Sequence, residues 1–144
     1  MASKLTILFV DDQPNILEGL RRSMRKMRNE WDMTFVTSGR EALAEMDERP
    51  FDVIVTDMMM PEMTGVEVLK TVAARYPETV RYVLSGHSDR EMILQSTGFA
   101  HRYLAKPCDP DELKQLLNNS LGLRETLARS DLHRRISSIG SLPS

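Results

Sequence analysis

A single cysteine, Cys108, in 144 residues rules out an internal disulfide and a cysteine-based zinc site, and it fits a reducing compartment. No unbroken apolar run approaches the roughly 18 residues of a membrane span. The first residues, MASKLT, lack the apolar stretch of a secretion signal, so a cytoplasmic address without membrane contact is expected. Charge of one sign is missing as well: 19 Lys and Arg face 21 Asp and Glu, for a net charge of −2. That balance gives no support to a general nucleic-acid binder, and the basic residues Arg124, Arg129, Arg134 and Arg135 near the end are too scattered to mark a helix-turn-helix. There is no repeat and no low-complexity tract.

What is present is an alternation of short apolar runs with helical periodicity, in a chain long enough for one core. Leu5 to Val10 is continuous apolar sequence, as in a strand covered on both faces, and it stops at Asp11-Asp12. Pro14 suits a first helical turn, and Ile16, Leu17, Leu20, Met24 and Met27 recur at helical spacing to about Asn29. Met33 to Val36 reads as a second strand. Ser38, with Glu41 three residues on, opens a helix that Pro50 stops. Phe51 to Thr56 is a third strand, and a helix from about Gly65 to Arg75 buries Val66, Leu69, Val72 and Ala73. Val80 to Leu84 is a fourth strand. Ser88 or Asp89 caps a helix carrying Met92 and Ile93, which Gly98 ends in a left-handed turn. Arg102 to Ala105 is a short fifth strand, and Asp109 caps a last helix with Leu113, Leu116 and Leu117 inward. Five strands alternating with five helices predict an α/β fold: a doubly wound, five-stranded parallel sheet between two helical layers, joined by right-handed crossovers. The domain is expected over 1–120. Beyond it, 121–144 turn polar and basic, and are read as a helical extension and linker towards a missing output domain.

Open parallel sheets bind ligands beyond the carboxyl ends of their strands. At those ends stand Asp11 and Asp12, Asp57, Ser85 and Lys106. Carboxylates converging on one edge repel each other, and a hard divalent cation is the usual remedy. Mg2+ fits best, because it needs few protein oxygens and shares its remaining positions with water and phosphate. An aspartate beside such an ion can attack phosphorus, while a lysine and a hydroxyl neutralise and hold the equatorial oxygens.

The stretches FVDDQP (Phe9 to Pro14), VTDMMMPEMTG (Val55 to Gly65), VLSGHSD (Val83 to Asp89) and YLAKPCDPDEL (Tyr103 to Leu113) resemble a bacterial two-component response-regulator receiver domain over about Leu5 to Ser120. The resemblance implies a flavodoxin-like, chemotaxis-receiver-like (βα)5 fold with strand order 2-1-3-4-5. It implies that Asp57 is the phosphoacceptor and that Asp12, with Asp11 through water, holds Mg2+, or Mn2+ as a substitute, together with the main-chain carbonyl of Met59. Ser85 then turns towards the phosphoryl group, Lys106 pairs with it ahead of a typically cis bond to Pro107, and Tyr103 swings inward as the switch. Met59 and His87 occupy the positions that tune phosphate lifetime. Partners implied are a sensor histidine kinase or phosphotransfer domain, an output domain in cis, and a second copy through the face of the fourth helix, fifth strand and fifth helix. The junction from HRYLAKP to RRISSIGSLPS also resembles that of regulators with an HDOD-type output domain. Such a domain assists its own phosphorylation without being a turnover enzyme.

Blander readings compete at single positions. Asp11 and Asp12 alone could end a strand and cap a helix, Ser85-Gly86 and Lys106-Pro107 could be turn chemistry, and Tyr103 could be a packing residue. Met58, Met59, Met60 and Met63 lack the thiolates or imidazoles of a soft-metal site and read as adaptable packing and surface filling; Cys108 reads as structural or incidental. The basic run Arg21, Arg22, Arg25, Lys26 and Arg28 is either a solvated helix face or a surface steering an acidic partner. Two whole-chain rivals are a receiver-like interaction module working without phosphate and a phosphohydrolase of the haloacid-dehalogenase type. The latter wants a second aspartate where Met59 stands. A serine hydrolase is excluded because LSGHS lacks the Gly-x-Ser-x-Gly elbow.

Overall fold

The apolar runs pair side by side. In the computed structural model, which describes residues 4–86, Leu94, 98–106, 109–120 and Gly122, the strands are β1 (Leu5–Val10), β2 (Trp31–Val36), β3 (Val53–Asp57), β4 (Val80–Ser85) and β5 (Arg102–Ala105). All four pairings are parallel, in the order β2-β1-β3-β4-β5, which is the order the resemblance implies. Helices α1 (Pro14–Ser23), α2 (Gly39–Glu48) and α3 (Gly65–Arg75) form crossovers, and a C-terminal helix spans 110–120. The expected helix around Met92 and Ile93 lies outside the described residues, as do His87, the Pro107-Cys108 pair and, except for Gly122, the extension 121–144.

Period-two alternation in the strands sorts the core onto two faces. Leu8, Val10, Ile54 and Val83 pack with α2 and α3 residues such as Ala42, Met46, Leu69 and Val72. Ile7, Phe9, Val53, Val55, Tyr82 and Leu84 pack with Leu17 of α1 and with Leu113 and Leu117 of the C-terminal helix. Helix starts follow local chemistry. Ser38 Oγ accepts from the Glu41 N–H, and Thr64 forms a reciprocal capping box with Glu67. Asp109 accepts from the Asp111 N–H at 3.0 Å, so it caps the last helix. The first helix ends sooner than its periodicity suggests: after Ser23 the chain tightens into a 3-10 turn at Arg25–Met27, and β2 starts at Trp31 rather than Met33. Met24 and Trp31 anchor that turn in the core, so burial overrides the helical repeat.

An arginine fixes where β5 lies. Arg81, at the start of β4, is 7% exposed. Its guanidinium donates to the carbonyls of Phe99 at 2.6 Å, Thr79 at 3.0 Å and Pro77 at 3.3 Å. Its main-chain N–H donates to His101 Nδ1 at 2.9 Å, and the His101 N–H returns a bond to the Arg81 carbonyl at 2.7 Å. These bonds clamp the segment ahead of β5, where Gly98 takes the expected left-handed conformation at φ 100. They set the register Tyr82↔Arg102 to Ser85↔Ala105, hence the point where Lys106 leaves the sheet.

Burial, then the neighbouring Arg81 charge, push the His101 imidazole down to about 4, against a smaller opposing effect of the Arg81 backbone. The folded protein therefore keeps His101 neutral where the unfolded chain, near 6.5, takes up a proton. Its contribution to stability is full above about pH 6.5 and falls as the pH drops towards 4. Urea unfolding across this window is expected to show a steeper acid loss for wild type than for His101→Gln; parallel curves would contradict the assignment.

Candidate functional site

The carboxyl ends of β1, β3, β4 and β5 deliver the functional groups. Asp11 follows β1 and is 1% exposed; Asp57 is the last residue of β3 and 4% exposed. Ser85 ends β4 and is buried, and Lys106 follows β5. Asp11, Asp12 and Asp57 each place a carboxylate oxygen within 4.8 Å of the others. Lys106 Nζ lies 2.6 Å from Asp57 Oδ1 and 3.4 Å from Asp11 Oδ2. The four charged groups named in the sequence therefore meet at one edge, and the main-chain bond from Lys106 N–H to the Ser85 carbonyl at 2.9 Å holds Lys106, just past β5, beside the end of β4.

Charge balance sets the electrostatics. Asp57 is shifted upward: burial raises it most, and Asp11 and Asp12 add repulsion that the Lys106 hydrogen bond and charge only partly offset. Burial pulls Lys106 down, but its bond to Asp57 and the charges of Asp11 and Asp57 outweigh this, so the ammonium is held more firmly protonated than a free lysine. One cation cannot satisfy three acids. Asp11 Oδ1 accepts from the Gln13 N–H at 2.9 Å, whereas Oδ2 is buried without a properly formed hydrogen bond. This oxygen, whose ion-pair partner is the shared Lys106 ammonium at 3.4 Å, lies beside two more carboxylates, a hard, anionic donor set that fits Mg2+.

The loop after β3 holds Asp57 from behind. The Met58 N–H donates to the Leu84 carbonyl at 3.1 Å, and the Gly65 N–H donates to the Met58 carbonyl at 2.8 Å. Met58 and Met60 are buried in the core beside α3, as expected of packing residues, while Met59 is 53% exposed. Two supporting residues were missed in the sequence. The Thr56 hydroxyl donates to the Asp57 carbonyl at 3.0 Å. Gly65 lies so close that a Cβ would stand 2.3 Å from the same oxygen and 3.0 Å from Met58 Cα; the glycine of the quoted motif was the available signal. Tyr103 is half-buried against the α2 and α3 side of the core, a placement compatible with packing and with a switch.

Gly65→Ala is expected to cost about 1–3 kcal/mol in urea unfolding, because backbone atoms cannot yield as a side chain would. Gly19→Ala, in α1 with nothing within 4 Å of the added methyl, is expected to stabilise by about 0.5–1 kcal/mol. Equal effects would disprove the clamp.

The sheet order and the groups at its edge define a chemotaxis-receiver-like α/β protein. The family description "Response regulator receiver domain" matches residues 7–118, and the chain belongs to that family. It is 38% identical over 137 residues to the hydrogenase transcriptional regulatory protein HoxA of Cupriavidus necator, covering 92% of this chain and 28% of that protein. It is 33% identical over 147 residues to the transcriptional regulatory protein ZraR of Salmonella typhimurium, covering 97% and 32%. The chain thus spans about a third or less of these relatives. Among solved structures, the signal receiver domain of an HD domain-containing protein from Pseudomonas fluorescens superposes with a TM-score of 0.80 at 28% identity, covering 86% of this chain and 99% of that one.

Proposed function

We propose that this receiver domain accepts a phosphoryl group on Asp57 from a sensor histidine kinase or phosphotransfer domain, in a Mg2+-dependent reaction. The observation that carries the reading is the contact of Lys106 with Asp57 at 2.6 Å beside the Asp11 and Asp12 carboxylates. Asp11, Asp12 and Asp57, with the Met59 carbonyl, would hold the ion. When bound, Mg2+ supplies charge neutralisation for the carboxylates and the incoming phosphoryl oxygens. The ionised Asp57 carboxylate attacks phosphorus, the bond from phosphorus to the donor's imidazole nitrogen breaks, and the imidazole leaves with the electron pair and takes up a proton. The product is an acyl phosphate on Asp57. Lys106 then exchanges its carboxylate contact for a phosphoryl oxygen, and Ser85 turns its hydroxyl to another.

That movement of Ser85 is read by Tyr103 two strands' width from Asp57, on a face bordered by Arg102, Leu104 and the C-terminal helix residues Glu112 and Leu116. The signal passes to an output domain in cis through 121–144, with 1–120 as the receiver; the partial coverage of HoxA and ZraR supports an output domain in cis. An HDOD-type output remains the reading of the junction sequence, as does homodimerisation through the fourth helix, fifth strand and fifth helix. The domain is a signalling module of the cytoplasm rather than a turnover enzyme. Among the described residues no helix is long and apolar enough to cross a membrane.

Incubation with Mg2+ and acetyl phosphate is expected to add one base-labile phosphate by intact mass, absent in Asp57→Asn and strongly slowed in Lys106→Met. No modification would favour an interaction module working without phosphate, and multiple turnover of phosphate esters would favour a hydrolase. Mg2+ alone should raise the unfolding free energy by about 2.7 kcal/mol at a hundred times its Kd, an effect lost in Asp12→Asn.

Phosphate lifetime is assigned to Met59 and His87. The exposed Met59 thioether cannot orient an attacking water as an amide or carboxyl can. The acyl phosphate is therefore expected to outlast that of fast chemotaxis-type receivers, and Met59→Asn to shorten it several-fold. A wild-type half-life of seconds would overturn this.

A further inference from the structure

Strand β2 ends the sheet, and among the described residues no strand pairs with its outer side. The Asp11 N–H takes the Val36 carbonyl, and in a parallel ladder residues alternate between inward and outward bonding. Val36, Thr34 and Asp32 therefore bond to β1, while Met33 and Phe35 turn their amides and carbonyls outward. None of these outward groups has a partner among the described residues.

Beside this edge, on the α1 side, lies an open hollow of about 550 Å3. Trp31, Met33 and Phe35 line it, with Lys4, Arg21, Arg25 and Arg28 around them. The three arginines are exposed, and none has a carboxylate partner among the described residues. The Arg21 guanidinium rests over the Phe35 ring, 4.8 Å from its centre, which keeps its charge beside the floor of the hollow. Lys4 Nζ donates to the Arg28 carbonyl at 3.3 Å, tying the strand entrance to the turn. Asp32, the one acid on the wall, is engaged by Arg49 at 3.2 Å. The rim is thus cationic in a chain whose net charge is −2.

We infer that this edge is a docking groove for an acidic, extended peptide segment of a partner protein, which adds a strand to β2 and sets its carboxylates against Arg21, Arg25 and Arg28. The two halves of the recognition are different in kind. Main-chain bonds to Met33 and Phe35 give affinity for extended backbone, and the arginines select acidic side chains on alternate residues. The aliphatic stems of those acidic residues cover the half-buried Phe35 and Met33. A nucleic-acid strand would use the arginines but leave the outward amides and carbonyls unpaired. The groove lies on the opposite flank of α1 from Ile16 and Leu20, which face the C-terminal helix across Lys106 and Leu113, and it shares no lining residue with the phosphoryl site.

The test uses the whole chain and four fluorescent probes: a seven-residue peptide alternating Glu and Val, the same peptide with its central Val replaced by Pro, a Lys-for-Glu version, and an oligo-dT of equal charge. The Glu-Val peptide should bind with salt-sensitive affinity and shift the amide resonances of Met33 and Phe35. The Pro peptide should bind at least about tenfold more weakly, in line with the loss of a ladder bond, and the Lys peptide should not bind. Arg25→Glu with Arg28→Glu should weaken the Glu-Val peptide by about tenfold or more, while circular dichroism and Asp57 labelling by acetyl phosphate stay as in wild type. No binding, equal binding of the Pro peptide, or preference for oligo-dT would each overturn the inference.

Discussion

Like charges crowded at the carboxyl edge of the sheet are the constraint around which the rest is organised. Asp11, Asp12 and Asp57 sit within contact of one another with a single ammonium among them. Left alone, such a cluster pushes the strand ends apart. It persists because β1 and β3 are paired along their length, because β4 is buried from end to end, and because the Gly65 contact backs the Asp57 carbonyl. The hydrophobic sandwich therefore does more than stabilise the fold. It holds a destabilised set of charges in place for a ligand that relieves them.

The same constraint explains why so much hangs on Lys106, a residue reached only through the shortest strand. Arg81 and His101, at the far end of β4, determine where that strand sits. A buried arginine satisfied by three carbonyls is a costly device. Its benefit here is positional, since a slip of one residue in β5 would turn Tyr103 to the other face and carry Lys106 away from Asp57.

The sheet and its site were legible because both are written locally. Apolar runs mark strands buried on both faces, and chemistry follows directly after them, so Asp11, Asp57, Ser85 and Lys106 could be placed by topology alone. The strand limits were less legible. The apolar pattern begins the second strand only at Met33, and the burial of Trp31 and its pairing with Leu5 extend β2 back to Trp31. The Arg81–His101 clamp was invisible for a related reason: its members lie 20 residues apart, and an arginine in an apolar strand carries no sign of the carbonyls that will receive it. Thr56 was hidden by its ordinary β propensity. The basic run at the end of α1 and in the turn after it was visible as charge, but its relation to the outer side of β2 exists only in three dimensions.

The three consecutive methionines after Asp57 divide their labour by burial: Met58 and Met60 are inside, and Met59 faces solvent. The backbone of this loop is pinned on either side by its buried neighbours, so the middle side chain can change without disturbing the scaffold. Packing and exposure are thereby separated along three adjacent residues. Under the role proposed for Met59, a change at that one position resets the duration of the signal while the rest of the loop is inherited unaltered.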